Sequence, residues 1–271
     1  VSGDGAAAIM LVVLLGVAGL AVGSFLTVVI HRVPAGDSVI HPRSSCPSCH
    51  VPVRPRDSIP VLSWLLLRGQ CRDCSAPISV RYPLAEVTTA ILWVALGAWL
   101  LGTGQSLALL PVLLVLASAG VALTVIDLDH YRLPNAIVLP LYPVTVLGLA
   151  FAGLVTGAWP ILPALGGAAV WLVVVGIPWL VSGGRGMGFG DVKLAPVLGA
   201  LLGWFAFSSA IVGLFAAFAL GAITGIALML ARRAGRRTAL PFGPFLLVGA
   251  LIGLLIGPAV TAGYLGLLAG S

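Results

Sequence analysis

The chain is short of charge. Of its 271 residues, 8% are Asp, Glu, Lys or Arg, against about 25% in an ordinary soluble domain. No charged side chain falls between Val87 and Ile126, between Leu133 and Gly184, between Leu194 and Ala231, or after Arg237. Such gaps exclude a water-soluble globular domain. Acidic residues are the scarcest, eight against fourteen basic ones. Cysteine is missing outside the stretch 46–74, so no disulfide framework is spread along the chain. The glycine-rich stretch near 183–190 has no strand-like run before it and no Lys-Ser or Lys-Thr in P-loop register after it, which excludes a nucleotide fingerprint. The serines lack His and Asp partners at a recognisable triad spacing.

What is present is apolar. Hydrophobic residues make up 60% of the chain, and mean hydropathy is +1.15. Repeated runs near 20 apolar residues specify an all-α polytopic membrane protein. The thirty-five glycines suit helices that pack backbone to backbone in lipid. The opening Val1–Ala8 has no basic n-region and no small-residue cleavage site, so the first run is expected to be a retained helix. The spans fall at roughly 7–30, 84–101, 108–126, 136–155, 163–181, 194–208, 210–231 and 245–268, about eight crossings. The sixth and seventh form one apolar stretch, broken by Gly203, Trp204 and the serines, with a tight turn expected near Ser208–Ser209. Pro140 and Pro143 in the fourth span and Pro178 in the fifth should kink those helices.

Basic residues are clustered. Seven lie from Arg32 to Arg81; Arg132 stands alone; Arg185 and Lys193 flank the glycine stretch; Arg232, Arg233, Arg236 and Arg237 close the set. With eight crossings, all fourteen fall in the loops 31–83, 127–135, 182–193 and 232–244, on one side of the membrane. The positive-inside rule makes that side cytoplasmic and puts the N-terminus and C-terminus outside. The expected division is a first membrane helix at 1–30, a cytoplasmic tetracysteine domain at 31–83 and a seven-helix membrane part at 84–271.

All four cysteines lie in the loop 31–83, as Cys46-Pro47-Ser48-Cys49 and Cys71-Arg72-Asp73-Cys74, two C-x-x-C pairs with twenty-one residues between them. Two such knuckles place four thiolates tetrahedrally around Zn²⁺. Two disulfides are the alternative, but disulfides rarely persist in a reducing cytoplasm. Four sulfur ligands leave no open coordination position, which makes the metal structural. Arg43, Arg54, Arg56, Arg68 and Arg72 are basic enough for a nucleic-acid finger. The stretch Ile59–Leu67 is too apolar for one, however, and no nucleic-acid partner is expected. That stretch should lie on the membrane surface or the helix bundle.

Two aspartates stand out. Asp127 ends one apolar run and Asp191 precedes another, 64 positions on. Two further runs lie between them, so both carboxylates reach the same membrane face. Ionisable groups at such depth are costly and usually functional. Each has an ordinary reading as well: Asp127 as the first solvated residue after a helix, Asp191 as the N-cap of a helix starting near Val192. Scarcity favours chemistry, because Glu86, Asp127, Asp129 and Asp191 are the acidic residues near helix ends. At about 4 Å and an effective dielectric near 20, two carboxylates repel by about 4 kcal/mol. Such a pair holds one proton near neutral pH and titrates as a unit. One carboxylate can then activate water while the other polarises a carbonyl, which is aspartic-protease chemistry. Two aspartates on one Mg²⁺, or a transporter whose aspartates hold a cation beside a regulatory zinc loop, remain open at this level.

Several motifs in order resemble the type IV prepilin peptidases, bifunctional leader peptidase/N-methyltransferases of pilus and type II secretion systems. They are Gly23-Ser24-Phe25-Leu26-Thr27 through His31-Arg32-Val33-Pro34, the paired C-x-x-C with Ile59-Pro60-Val61-Leu62-Ser63 and Leu67-Arg68-Gly69 between, and Arg81-Tyr82-Pro83 with Glu86. Ile126-Asp127 with Leu133-Pro134-Asn135 follows, then Gly188-Phe189-Gly190-Asp191-Val192-Lys193. Thr27 stands where the family usually has Asn, and Asn135 where it more often has Asp. The resemblance implies that Asp127, rather than Asp129, pairs with Asp191 as the catalytic dyad. It implies cleavage of prepilin or pseudopilin leaders after a glycine at the cytoplasmic face of the inner membrane, followed by methylation of the new N-terminus from S-adenosylmethionine. The loop 31–83 and Glu86 are the candidates for holding that cofactor. Substrate is expected to meet backbone at Gly186, Gly188 and Gly190, with Lys193 beside them, because a basic surface would not attract a basic leader. Reversing the charges at Arg232, Arg233, Arg236 and Arg237 should then alter insertion more than cleavage. A presenilin-like protease shares Gly-x-Gly-Asp but carries Tyr before its first aspartate, where this chain has Ile126.

Overall fold

A computed structural model describes residues 3–42, 44–184, 187–231 and 240–269. Nine α-helices occupy them: α1 (Gly3–Ala35), α2 (Leu62–Leu66), α3 (Arg81–Thr103), α4 (Leu110–His130), α5 (Asn135–Thr156), α6 (Ile161–Ser182), α7 (Phe189–Phe205), α8 (Phe207–Leu230) and α9 (Gly243–Ala269). No strand occurs among the described residues, and pairing is limited to two isolated bridges in the cysteine loop. Seven helices are long and apolar enough to cross a membrane: α1, α3, α4, α5, α6, α8 and α9. The chain is an all-α multi-pass membrane protein. The remaining expected crossing is α7. Its 17 residues make it about 25 Å long at ~1.5 Å per residue, the short end of what spans a bilayer.

The chain divides into two compact units, Val1–Val125 and Ile126–Ser271, with the boundary inside α4. In the first unit α1 packs along α3. Glycine makes this seam possible: a Cβ on Gly19 would lie 2.7 Å from Ala90 Cα, and one on Gly23 would lie 2.6 Å from Glu86 Cα. Small residues let backbones approach where lipid gives no hydrophobic drive between helices. Trp93 Nε1 donates to Ser118 Oγ at 3.0 Å and ties α3 to α4.

In the second unit α7 is the central helix. It touches α5, α6, α8 and α9, and ten of its 17 residues are buried. Gly167 on α6 and Gly199 on α7 face each other's backbone, and Gly203 meets the backbone of Pro163. Trp171 is fully buried, and its Nε1 donates to the Ala210 carbonyl at 2.8 Å, joining α6 to α8. Without that acceptor an indole N–H in lipid-level packing would be a liability. The helices α8 and α9 meet along Gly213, Gly249, Gly253 and Gly257.

The α7–α8 break comes at Ala206, earlier than the expected turn at Ser208–Ser209. Ala206 is extended (φ −167°, ψ 142°), and α8 restarts at Phe207. Ser209 lies inside α8, and its N–H donates to the Ala206 carbonyl. Trp204 and Phe205 end α7, so bulk rather than the serines marks the break. Asp191 does not cap α7. Gly188 is the N-cap residue, and Asp191 sits in the first turn. Pro140 and Pro143 lie inside α5 and Pro178 inside α6, with both helices continuous through them.

Candidate active site

The end of α4 and the start of α7 carry the two aspartates. Asp127 is 4% exposed and Asp191 5% exposed, whereas Asp129 is exposed to solvent. Helical spacing explains the difference, since two residues along a helix point to nearly opposite sides. The carboxylates of Asp127 and Asp191 lie close enough to act on each other electrostatically. The Gly243 N–H, at the start of α9, donates to Asp127 Oδ2 at 3.0 Å. The Gly188 backbone acts on Asp191, while Asp191 Oδ1 is buried with no hydrogen-bond partner.

Leu133 closes the site from the α4–α5 turn. Tyr131, in the left-handed region (φ 53°), donates its N–H to the Asp127 carbonyl at 2.8 Å and ends α4. The chain then turns Leu133 inward, 8% exposed. A Cβ on Gly190 would lie 2.8 Å from Leu133 Cβ, and one on Gly243 would lie 3.2 Å from Leu133 Cδ2 and 2.8 Å from Asp127 Oδ2. Leu133 thus wedges between α7 and α9, beside Asp127.

The glycine stretch divides its work. Gly183 (φ 59°) and Gly184 (φ 79°) take left-handed backbone to end α6, with the Gly184 N–H bonded to the Trp179 carbonyl at 2.9 Å. These are conformations glycine adopts without a Cβ penalty. Gly188 has ordinary φ, −71°, and is needed for space, because a Cβ there would lie 3.1 Å from Asp191 Oδ2. Gly186, with Arg185, Arg43, Arg232, Arg233, Arg236 and Arg237, lies outside the described residues. Lys193 Nζ donates to Asn135 Oδ1 at 2.9 Å and sits 4.4 Å from the Phe189 ring centroid. Phe189 stacks on Trp179 (centroids 4.9 Å apart), and Tyr142 Oη donates to the Lys193 carbonyl at 2.7 Å. Lys193 therefore links α7 to α5 beside the aspartates.

The first unit holds the other candidates. The sulfurs of Cys46, Cys49, Cys71 and Cys74 lie within 4.8 Å of one another, and all four are free thiols. Cys46 Sγ and Cys74 Sγ are 3.7 Å apart. Zn–S bonds of about 2.3 Å at tetrahedral angles put sulfurs about 3.8 Å apart, so the cluster could hold a metal ion. The two knuckles are built alike. The His50 N–H donates to the Cys46 carbonyl and the Ser75 N–H to the Cys71 carbonyl, both at 2.9 Å, with His50 and Ser75 at φ 58°. Backbone N–H groups of Cys49 and Ser48 hold the Cys46 thiol down to about 6. At Cys74 the Ala76 N–H also pulls the thiol down, but burial and the neighbouring sulfurs outweigh it and push it up to about 12. Four thiolates at this spacing repel, and a divalent cation removes that conflict.

Ion pairs knit the module. Arg72 forks onto Asp57 (2.6–3.0 Å), and Arg54 meets Asp73 at 2.7 Å. The Glu86 carboxylate, 7% exposed on α3, accepts the Val61 N–H at 2.7 Å. Val61 has φ 59°, so Glu86 fixes a backbone that a β-branched residue would otherwise avoid. The stretch Ile59–Leu67 is thereby attached to α3, with Leu62, Leu65 and Leu66 exposed.

Family models match both halves of the chain, the bacterial peptidase A24 N-terminal domain over residues 17–100 and the type IV leader peptidase family over 114–226. A prepilin leader peptidase/N-methyltransferase of Aeromonas hydrophila is 39% identical over 273 residues, covering 91% of each chain. This chain belongs to the type IV leader peptidase family. A namesake from Pseudomonas aeruginosa is 35% identical over 279 residues, again covering 91% of each chain. One from Myxococcus xanthus is 43% identical over 231 residues, 83% of this chain and 66% of that one. No solved structure gives a significant match. Within this leader-peptidase chain, Gly243 and Leu133 are the site residues that sequence reasoning passed over as such. Gly243 had a faint signal, a glycine set between Phe242 and Pro244 just before an apolar run.

Proposed function

We propose that this chain is a prepilin leader peptidase and N-methyltransferase in which Asp127 and Asp191 form the catalytic dyad. The observation that carries the reading is the pair of buried carboxylates, each within the other's field, at the ends of α4 and α7. The ionised member takes a proton from water as the water oxygen adds to the scissile carbonyl carbon. The protonated member gives its proton to the carbonyl oxygen. In collapse the first carboxyl protonates the leaving nitrogen, the C–N bond breaks, and the second recovers a proton from the diol. The dyad ends as it began, with one proton, and no covalent enzyme intermediate forms.

The substrate class fits this depth. A prepilin or pseudopilin is a basic leader, a glycine and an apolar helix. Its helix can lie in the bilayer with the scissile bond at the interface where the dyad sits. Backbone around Gly188 and Gly190 meets the extended segment, with Lys193 beside it. Basic loops on the dyad's side make that side cytoplasmic. The four cysteines hold a structural Zn²⁺ that fixes the loop 31–83 as a cytoplasmic domain between the first helix (1–30) and the membrane peptidase part (84–271). That loop, with Glu86 at its base, is where S-adenosylmethionine binds, the cofactor supplying the methyl group for the new N-terminus.

The test uses purified full-length protein in liposomes with a prepilin and S-adenosylmethionine. Mass measurement of the product is expected to show cleavage after the glycine and one added methyl group. Cleavage without methylation would remove the second activity and leave the first. No cleavage of any prepilin offered, by folded and zinc-loaded protein, would contradict the reading.

A further inference from the structure

The two aspartates are not equivalent. Asp127 Oδ2 receives a buried N–H from Gly243 at 3.0 Å. That N–H opens α9, and the first N–H groups of a helix are unpaired within it and point toward negative charge. Asp191 is as deeply buried, at 5% exposure. Its Oδ1 has no hydrogen-bond partner, while the Asp127 charge and the Gly188 backbone act on the group. A buried oxygen left without a partner in a folded protein calls for a proton, a water or a ligand.

Gly243 is also the one residue type that fits there. A Cβ would lie 2.8 Å from Asp127 Oδ2 and 3.2 Å from Leu133 Cδ2. The missing side chain therefore lets the amide reach the carboxylate and leaves space for the wedge. The other titratable groups on the surrounding elements are Asp129, His130, Tyr131 and Arg132 at the α4–α5 turn, Tyr142 on α5 and Lys193 on α7. Helices α6 and α8 carry none, and α9 carries Tyr264 near its opposite end. Lys193 is turned to Asn135 and Phe189.

We propose that Gly243 is a positioning residue of the dyad: its N–H holds Asp127 as the ionised carboxylate that activates water, and Asp191 carries the shared proton, with Oδ1 facing the scissile carbonyl. The inference rests on the peptidase reading and adds a fixed division of labour to it. A charge-assisted hydrogen bond at a buried site favours the charged form of its acceptor. Peptide hydrolysis then starts with Asp127 as base and Asp191 as acid, in the balanced sequence given above.

Two measurements test this. The first is the pH profile of prepilin cleavage for the wild type, Gly243→Ala and Gly243→Pro. Alanine crowds the carboxylate off the amide; proline removes the donor and is tolerated in the first helical turn. Both are expected to move the acid limb to higher pH by about one unit and to lower kcat more than they raise KM. An acid limb that stays in place in either folded variant overturns the proposal. The second does not depend on those variants folding. The infrared C=O stretch of a protonated, buried carboxyl is expected in the wild type and in Asp127→Asn, and absent in Asp191→Asn. The opposite pattern overturns the proposal. A wild type that cleaves no prepilin would sink the peptidase reading, while the infrared pattern would still report where the proton sits.

Discussion

Leu133 shows how little side-chain volume sets the aspartate site. It touches Gly190 and Gly243 and sits beside Asp127. Leu133→Ala should cost about 2–4 kcal/mol through the cavity it opens, seen as a lower midpoint of thermal unfolding in detergent, and cleavage should fall with it. Asn135 is the opposite case. Its Oδ1 already accepts from Lys193 at 2.9 Å, so Asn135→Asp should keep the link as an ion pair and leave cleavage within a few-fold. Lys193→Met removes both this bond and the contact with Phe189, and should lower cleavage about ten-fold. At this scale the sequence made the aspartates legible, because carboxylates are rare in apolar chain. It did not make Gly243 legible. That glycine lies 116 positions from the group it serves, and its contribution is a backbone N–H that every residue but proline possesses.

At the scale of elements, the knuckles carry the clearest signal, since two C-x-x-C pairs at this spacing suit four-sulfur metal ligation and the structure brings the four sulfurs within 4.8 Å of one another. Cys46→Ser or Cys71→Ser should abolish stoichiometric zinc in the purified protein, measured by elemental analysis, and expose the loop to protease. Arg72 holds the Asp57 carboxyl below its ordinary range through their fork. The pair therefore supports the fold above the ordinary carboxylate pKa, and the support is lost as pH falls through the lowered value. Acid also protonates the cysteine ligands. Limited proteolysis of the loop should accelerate on acidification, and Asp57→Asn should show faster cutting already at neutral pH. The α7–α8 break was less legible. Leu194–Ala231 reads as continuous apolar chain, and the extended residue Ala206 has no sequence mark of its own. Bulky Trp204, Phe205 and Phe207 around it were a better guide than the serines. The role of Glu86 as a clamp on Val61 was also hidden, because a carboxylate near a helix start suggests a ligand site as readily as a backbone acceptor.

For the whole molecule, hydropathy suffices to give the all-α membrane class, and seven of the roughly eight expected spans are long and apolar enough to cross a membrane among the described residues. The close pairing of α6 with α7 and of α8 with α9 follows from glycines whose facing partners the sequence does not name. Topology makes a prediction of its own. In intact cells a membrane-impermeant maleimide should label Gln105→Cys, in the short loop after α3, and leave the four native cysteines unlabelled. Labelling of the native thiols would reverse the orientation and put the aspartates on the wrong side for a leader. The central claim is the dyad itself, and the most direct test is prepilin cleavage by Asp127→Asn, Asp129→Asn and Asp191→Asn, each reconstituted and shown to be folded. The account predicts losses of about 10³-fold or more for Asp127→Asn and Asp191→Asn, with Asp129→Asn within a few-fold of the wild type. Full activity in either of the first two, or loss confined to Asp129→Asn, would contradict it.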